Sequence, residues 1–279
     1  MNAQPGAHAL PFLPRARSHW LAVVGGKGGV GKTHVAASLA HAWAAAGERV
    51  LLVDADLGLG NVEILLGLRP RFDLADAITG RVSLSDVVVQ APNGVHVLPA
   101  GSGSLDLATF TLPERARLTA SLTALGHLYD RVVLDVGAGI GPVVLFFQGL
   151  AHETLVVTHA EPTALTDAYA FVKVAYRANA TRRFRLLVNQ ARDGEDATRA
   201  HRVIEELAQR FLGVAVDDAG AIPYDAQVGR AVRLQKVVVE SNPTCPASHA
   251  LERLARTLLS HDSAGSATTA HRHVPGKAR

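Results

Sequence analysis

Between Trp20 and Asp56 the chain reads WLAVVGGKGGVGKTHVAASLAHAWAAAGERVLLVDAD, and no other segment limits the possible folds as strongly. An apolar run of strand length (20–25) opens into a glycine-rich loop. An alanine-rich segment (32–47) follows and closes on Gly47, as a helix does when its last turn needs a left-handed residue. A second apolar run (49–56) comes next. Strand, loop, helix and strand in this order form a βαβ unit, whose strands lie parallel.

The same alternation continues along the chain. Apolar runs recur at 94–100, 131–137, 154–160 and 183–190, and helical patterns occupy 112–128, 162–178 and 196–212. Runs without polar alternation belong to strands covered on both faces. The expected fold is therefore α/β, a mostly parallel twisted sheet with helices on both sides. With 279 residues, one such domain accounts for the chain. Residues 19–261 are expected to form it, with a flexible proline-containing arm at 1–18. The segment 262–279 has almost nothing to bury and is expected to be disordered. Trp20 is read as the start of the first strand.

Composition excludes several classes. A single cysteine, Cys245, rules out an internal disulfide and a cysteine-rich metal site within one subunit, and fits a reducing compartment. No apolar run reaches the ~20 residues of a membrane span, and the proline-rich start does not read as a signal peptide. The net charge of +3 does not by itself indicate a nucleic-acid partner. The thirteen histidines show no metal-ligand spacing.

Gly26-Lys27-Gly28-Gly29-Val30-Gly31-Lys32-Thr33 satisfies G-x-x-x-x-G-K-[ST] between a strand and a helix, the context this phosphate-binding loop requires. Its glycines let backbone N–H groups turn towards phosphate oxygens, and the helix adds its N-terminal partial charge. Lys32 is placed to reach the β- and γ-phosphates and Thr33 to offer its hydroxyl to Mg²⁺. Asp135, near the end of the run 131–137, is the matching acid for the metal. Gly137, Gly139 and Gly141 after it form a movable loop. Asp54 and Asp56, followed by LGLGN, suit a metal shell and a group that positions water.

These residues carry a resemblance. KGGVGKT resembles the deviant phosphate loop of the MinD/ParA ATPases. The strings DADLGLGNVEILLGL, DVGAGIG, EPTALTDAYAFVK and GAIPYDAQVGRAV resemble the flagellar-number regulators within them, the FlhG/FleN group. The resemblance implies a P-loop fold of the MinD type, ATP and ADP as ligands with Mg²⁺, and slow, partner-regulated hydrolysis. It implies that Lys27 crosses to the ATP held by a second copy, so that the active form is an ATP-dependent homodimer. Nucleotide contacts would come from Gly26, Gly28, Gly29, Val30, Gly31, Lys32, Thr33 and His34. Asn189 and Pro223 would border the adenine. Asp56 would orient the attacking water, and Thr33, Asp54 and Asp135 would serve the metal. The implied partners are a FleQ-type transcription activator and an FlhF-type GTPase, in the cytoplasm, with a polar or peripheral membrane position as an extension.

Two departures stand out. His34 replaces the asparagine usual after the Lys-Thr pair. The arm also lacks the DQAxxLR segment that FlhG proteins use on FlhF, so stimulation by that route is not expected. Leu251, Leu254, Ala255, Leu258 and Leu259 form a stripe expected to pack on the core, with reversible membrane contact as the lesser alternative. Arg177, Arg182, Arg183 and Arg185 would serve nonspecific DNA binding in a partition-type ATPase, a reading ranked below a solvated face. One cysteine excludes a nitrogenase-reductase type of electron carrier, and the tyrosine-free tail excludes a bacterial tyrosine kinase.

Overall fold

The first apolar run becomes strand β1 (His19–Gly25) and divides its side chains between two cores. Trp20, Ala22 and Val24 join the cluster on one face of the sheet, while Leu21 and Val23 join the cluster on the other. A strand buried on both sides has no reason to alternate polar residues. The computed structural model describes residues 18–101, 111–179 and 183–268.

After β1 come α1 (Lys32–Ala45), β2 (Val50–Ala55) and three short helices, α2 (Val62–Leu65), α3 (Leu74–Ile78) and α4 (Leu84–Val87). Then follow β3 (Val89–Gln90), β4 (His96–Leu98), α5 (Leu112–Gly126), β5 (Arg131–Ala138), α6 (Pro142–Leu150) and β6 (Glu153–Thr158). The chain continues through α7 (Pro162–Ala178), β7 (Arg183–Ala191), α8 (Gly194–Leu212) and β8 (Val216–Pro223). It closes with α9 (Ala226–Arg233), α10 (Val238–Ser241) and α11 (Pro246–Thr268).

The strands form one sheet in the order β3-β4-β2-β5-β1-β6-β7-β8. Only β3 and β4 pair antiparallel; every other described pairing is parallel. The expected α/β fold is therefore present. On one face Leu122, Tyr129, Phe147, Phe171 and Ile204 fill the space under α5 to α8. On the other, α1 and α11 enclose Leu39, Trp43, Leu251 and Leu258. The Trp43 indole N–H donates to the Ala255 carbonyl at 3.1 Å, tying these two helices together.

That packing settles the stripe on α11. Leu251, Leu254, Ala255 and Leu258 are all buried, and Leu259 packs beside them. No helix among the described residues is long and apolar enough to cross a membrane. The helix also continues to Thr268, into the segment expected to be disordered, while residues 269–279 and the arm up to residue 17 lie outside the described residues.

Three arginines near the strand starts are paired. Arg185 in β7 forms a buried ion pair with Glu153, the first residue of β6. Arg131, opening β5, pairs with Glu48 and lies over the Trp43 ring, 4.7 Å from its centroid. Arg49, just before β2, pairs with Asp130 at 3.3 Å. Arg185 is thereby removed from the basic cluster suggested by the sequence, because β7 turns it into the sheet rather than towards solvent. Arg182 lies outside the described residues.

Candidate functional site

The glycine loop leaves β1 and enters α1 at the edge where the parallel strands end, the usual ligand position in open sheets. Gly31 is the N-cap of α1 and offers no side chain to it. The first intrahelical bond runs from the Val35 N–H to the Gly31 carbonyl at 3.1 Å. The N–H groups ahead of it are left for an anion, as at any uncapped helix N-terminus. Gly26 has a packing reason. A Cβ there would come within 2.2 Å of the Asp167 carbonyl group in α7, so only glycine lets loop and helix touch. Gly28 and Gly29 have open space around them, and Lys27 between Gly26 and Gly28 is exposed. Val30 is buried beneath the loop.

The acids gather beside the loop because of strand register. Asp54 and Asp135 are direct neighbours across β2 and β5. Both are buried; Asp135 adds to the cost of ionising Asp54, and Asp56 adds to that of Asp135. Burial, helped by Asp135, pushes the Asp54 carboxyl up to about 8. Burial likewise pushes Asp135 up to about 7, against a hydrogen bond from Thr33 and the attraction of Lys32. Asp56 lies over Gly137, where a Cβ would be 3.2 Å from its carboxyl carbon. Its Oδ1 accepts from the Leu59 N–H at 3.2 Å. Lys32, Thr33, Asp54, Asp56 and Asp135 thus stand together.

Asp54 is more occupied than its proposed metal role implies. Oδ1 accepts from the Asp56 N–H at 3.1 Å, and Oδ2 accepts from the N–H groups of Asn61 at 2.9 Å and Val62 at 3.1 Å. Asp135 differs, because its Oδ1 is buried with no hydrogen-bond partner. An orphaned carboxylate oxygen beside the Thr33 hydroxyl is what a hard cation of the Mg²⁺ kind requires. The residues therefore fit that ion. No cluster of three or more His, Cys, Asp or Glu side chains suited to a metal occurs among the described residues.

Asn189 lies near the end of β7, against the loop. Its amide Nδ2 donates to the Val30 carbonyl at 2.8 Å, and its Oδ1 accepts from the Gln190 N–H at 3.0 Å. Those bonds fix the amide and leave one N–H and one lone pair for a base edge. Beside it opens a cavity of about 400 Å³ lined by Gly31, His34, Asn189, Pro223, Tyr224 and Arg233, among others. His34 is held neutral, its pKa lowered by burial to about 4. Its Nε2 faces the Val238 N–H at 3.4 Å. Tyr224 and Arg233 were not singled out in the sequence; the run PYDAQVGRAVR held the signal, since Gly229 and Arg233 share a helix face.

Comparison with known proteins accords with this geometry. The CobQ/CobB/MinD/ParA nucleotide binding domain matches residues 21–238. The chain is 43% identical over 236 residues to the antiactivator FleN of Pseudomonas aeruginosa, covering 85% of this chain and 84% of that protein. It is 26% identical over 249 residues to the flagellum site-determining protein YlxH of Helicobacter pylori, covering 89% of this chain and 84% of that one. The septum site-determining protein MinD of Pyrococcus horikoshii, solved with Mg-ADP, shares the fold with a TM-score of 0.74 at 24% identity. That match covers 89% of this chain and 98% of the MinD chain. By loop, sheet and sequence alike, the chain belongs to the CobQ/CobB/MinD/ParA family of nucleotide-binding proteins.

Proposed function

We propose that this protein is a dimerising regulatory ATPase of the FleN type, which restrains flagellar gene expression and number through an ATP-controlled switch. The observation that carries this reading is the 43% identity to an antiactivator over 85% of the chain. A FleQ-type enhancer-binding activator is the proposed partner, with an FlhF-type GTPase as the second. The proposed setting is the cytoplasm. The burial of the α11 stripe argues against membrane contact through that helix, and the loss of Arg185 to an internal ion pair argues against the DNA-binding alternative.

The chemistry assigned to the residues follows from their places. The loop N–H groups and Lys32 bind the phosphate chain and compensate its charge. Thr33 and Asp135 would hold Mg²⁺, which supplies further neutralisation of the phosphate oxygens. Asp54, with both oxygens taken by backbone N–H groups, positions the acidic segment and stands behind Asp135. Asp56 orients the attacking water from its place over Gly137. Lys27, exposed at the loop tip, reaches the nucleotide of a second copy, so dimer and hydrolytic site are completed together.

Two variants test this. Lys27→Ala is expected to bind ADP like the unmodified protein yet stay monomeric with ATP. Asp56→Ala is expected to bind ATP, hydrolyse it slowly and persist as a dimer. Light scattering after size exclusion, with turnover measured in parallel, reads both. A Lys27→Ala protein that dimerises normally with ATP would remove the trans-acting lysine. Normal behaviour of both variants, together with no ATP-dependent binding of the purified activator, would remove the antiactivator reading.

A further inference from the structure

The cavity beside Asn189 has a wall that phosphate binding does not explain. Arg233, the last residue of α9, lines it and is exposed. No carboxylate pairs with it among the described residues, although Arg49, Arg81, Arg131, Arg185, Arg199 and Arg256 all have acidic partners. The acid lining the same cavity is already engaged. Asp225 accepts from the Gln227 N–H at 2.9 Å and from the Ala247 N–H at 3.3 Å. The guanidinium runs back along its helix over Gly229, where a Cβ would sit 3.9 Å from Nη1. With no side chain at 229, nothing from that position separates the guanidinium from the helix backbone.

The rest of the cavity has the composition of a base pocket. Ile222, Val228 and Leu251 supply apolar walls, and Asn189 offers one amide N–H and one lone pair at the inner end. A planar guanidinium can lie flat on an aromatic ring as well as fork to a phosphate, and here it lines the part of the cavity with apolar walls. Gly31 and His34 already carry the cavity back to the phosphate loop.

We propose that Arg233 is a base-recognition residue, its guanidinium stacking on the purine of the bound nucleotide in the cavity it shares with Asn189. This rests on the reading above that a nucleotide on the phosphate loop extends its base into this cavity. Two features separate the inference from a general electrostatic effect. Stacking needs the planar guanidinium, so lysine does not replace it. Stacking also needs the base, so inorganic pyrophosphate does not report it.

The test is calorimetric titration of the full chain with ADP and with inorganic pyrophosphate, in Mg²⁺, for the unmodified protein, Arg233→Gln and Arg233→Lys. Both variants are expected to weaken ADP by about fivefold to tenfold and to leave pyrophosphate unchanged, the scale of a cation over an aromatic face. Unchanged ADP affinity in Arg233→Gln overturns the proposal. ADP binding restored by Arg233→Lys, or pyrophosphate weakened in step with ADP, also overturns it and assigns Arg233 a distant charge effect. If the unmodified protein binds ADP no better than pyrophosphate, the base is not read in this cavity. The site reading then falls, and the role of Arg233 with it.

Discussion

Replacing Gly31 by alanine separates two costs whose sizes follow from the structure. Gly31 has φ +89°, in the left-handed region, where a β-carbon costs about 1–2 kcal/mol. The new Cβ would also stand 2.3 Å from Asn189 Nδ2, well inside contact distance. Relief requires the amide to leave the Val30 carbonyl, breaking a buried 2.8 Å hydrogen bond at about 1–3 kcal/mol. The expected loss of stability is the sum, about 2–5 kcal/mol. That leaves a domain of ordinary stability folded. Nucleotide binding suffers twice, because the loop N–H groups shift and Asn189 no longer points where a base edge would meet it. Urea unfolding gives the first quantity and calorimetry with ADP the second. A double-mutant cycle isolates the clash. In an Asn189→Ala background, Gly31→Ala should cost only the backbone part, so the two changes couple by about 1–3 kcal/mol. Strictly additive costs, or unchanged ADP affinity in Gly31→Ala, would refute the reasoning.

Two further outcomes are expected. Arg185→Met should destabilise by about 3–5 kcal/mol, because Glu153 keeps its burial and loses its counter-charge, whereas Arg185→Met with Glu153→Leu should recover most of the loss. Equal urea midpoints for the single and double variants would contradict this. For Asp54, the folded pKa of about 8 lies well above the ordinary aspartate value of 3.8. The folded chain therefore keeps a proton that the unfolded chain releases. Stability without Mg²⁺ should fall as pH rises through that window, and Asp54→Asn should flatten the slope. Urea midpoints measured across the window decide it, and an unchanged slope in Asp54→Asn would count against the buried-acid argument.

The sequence was most informative where one physical rule acts alone. β1, β2, β5, β6 and β7 were legible because burial on both faces excludes polar residues. The phosphate loop was legible because its backbone geometry demands glycine. β8 was missed for the opposite reason. It is an edge strand whose Asp217, Asp218 and Gly220 break the apolar run. The short helices α2 to α4 hold too few residues to show a period. Long-range partners were hidden as well. Nothing local tells Arg185 from Arg183, yet β7 buries the first and exposes the second. Within the site, Asp54 and Asp135 could be named separately, but their shared register and the saturation of Asp54 by backbone N–H groups depend on strands far apart in sequence.

The paired charges near the strand starts have a consequence for how this molecule tolerates change. Arg185 with Glu153, Arg131 with Glu48 and Arg49 with Asp130 staple neighbouring strands at one edge of the sheet, while the glycine loops and the nucleotide-facing acids occupy the other. Amide exchange should then be slowest at the stapled edge and quicken along each strand towards the loops. A sheet anchored at one edge lets the opposite edge vary in length and composition without losing its alignment. New partners can thus be acquired by altering loops at the open edge, while the frame beneath them stays as it is.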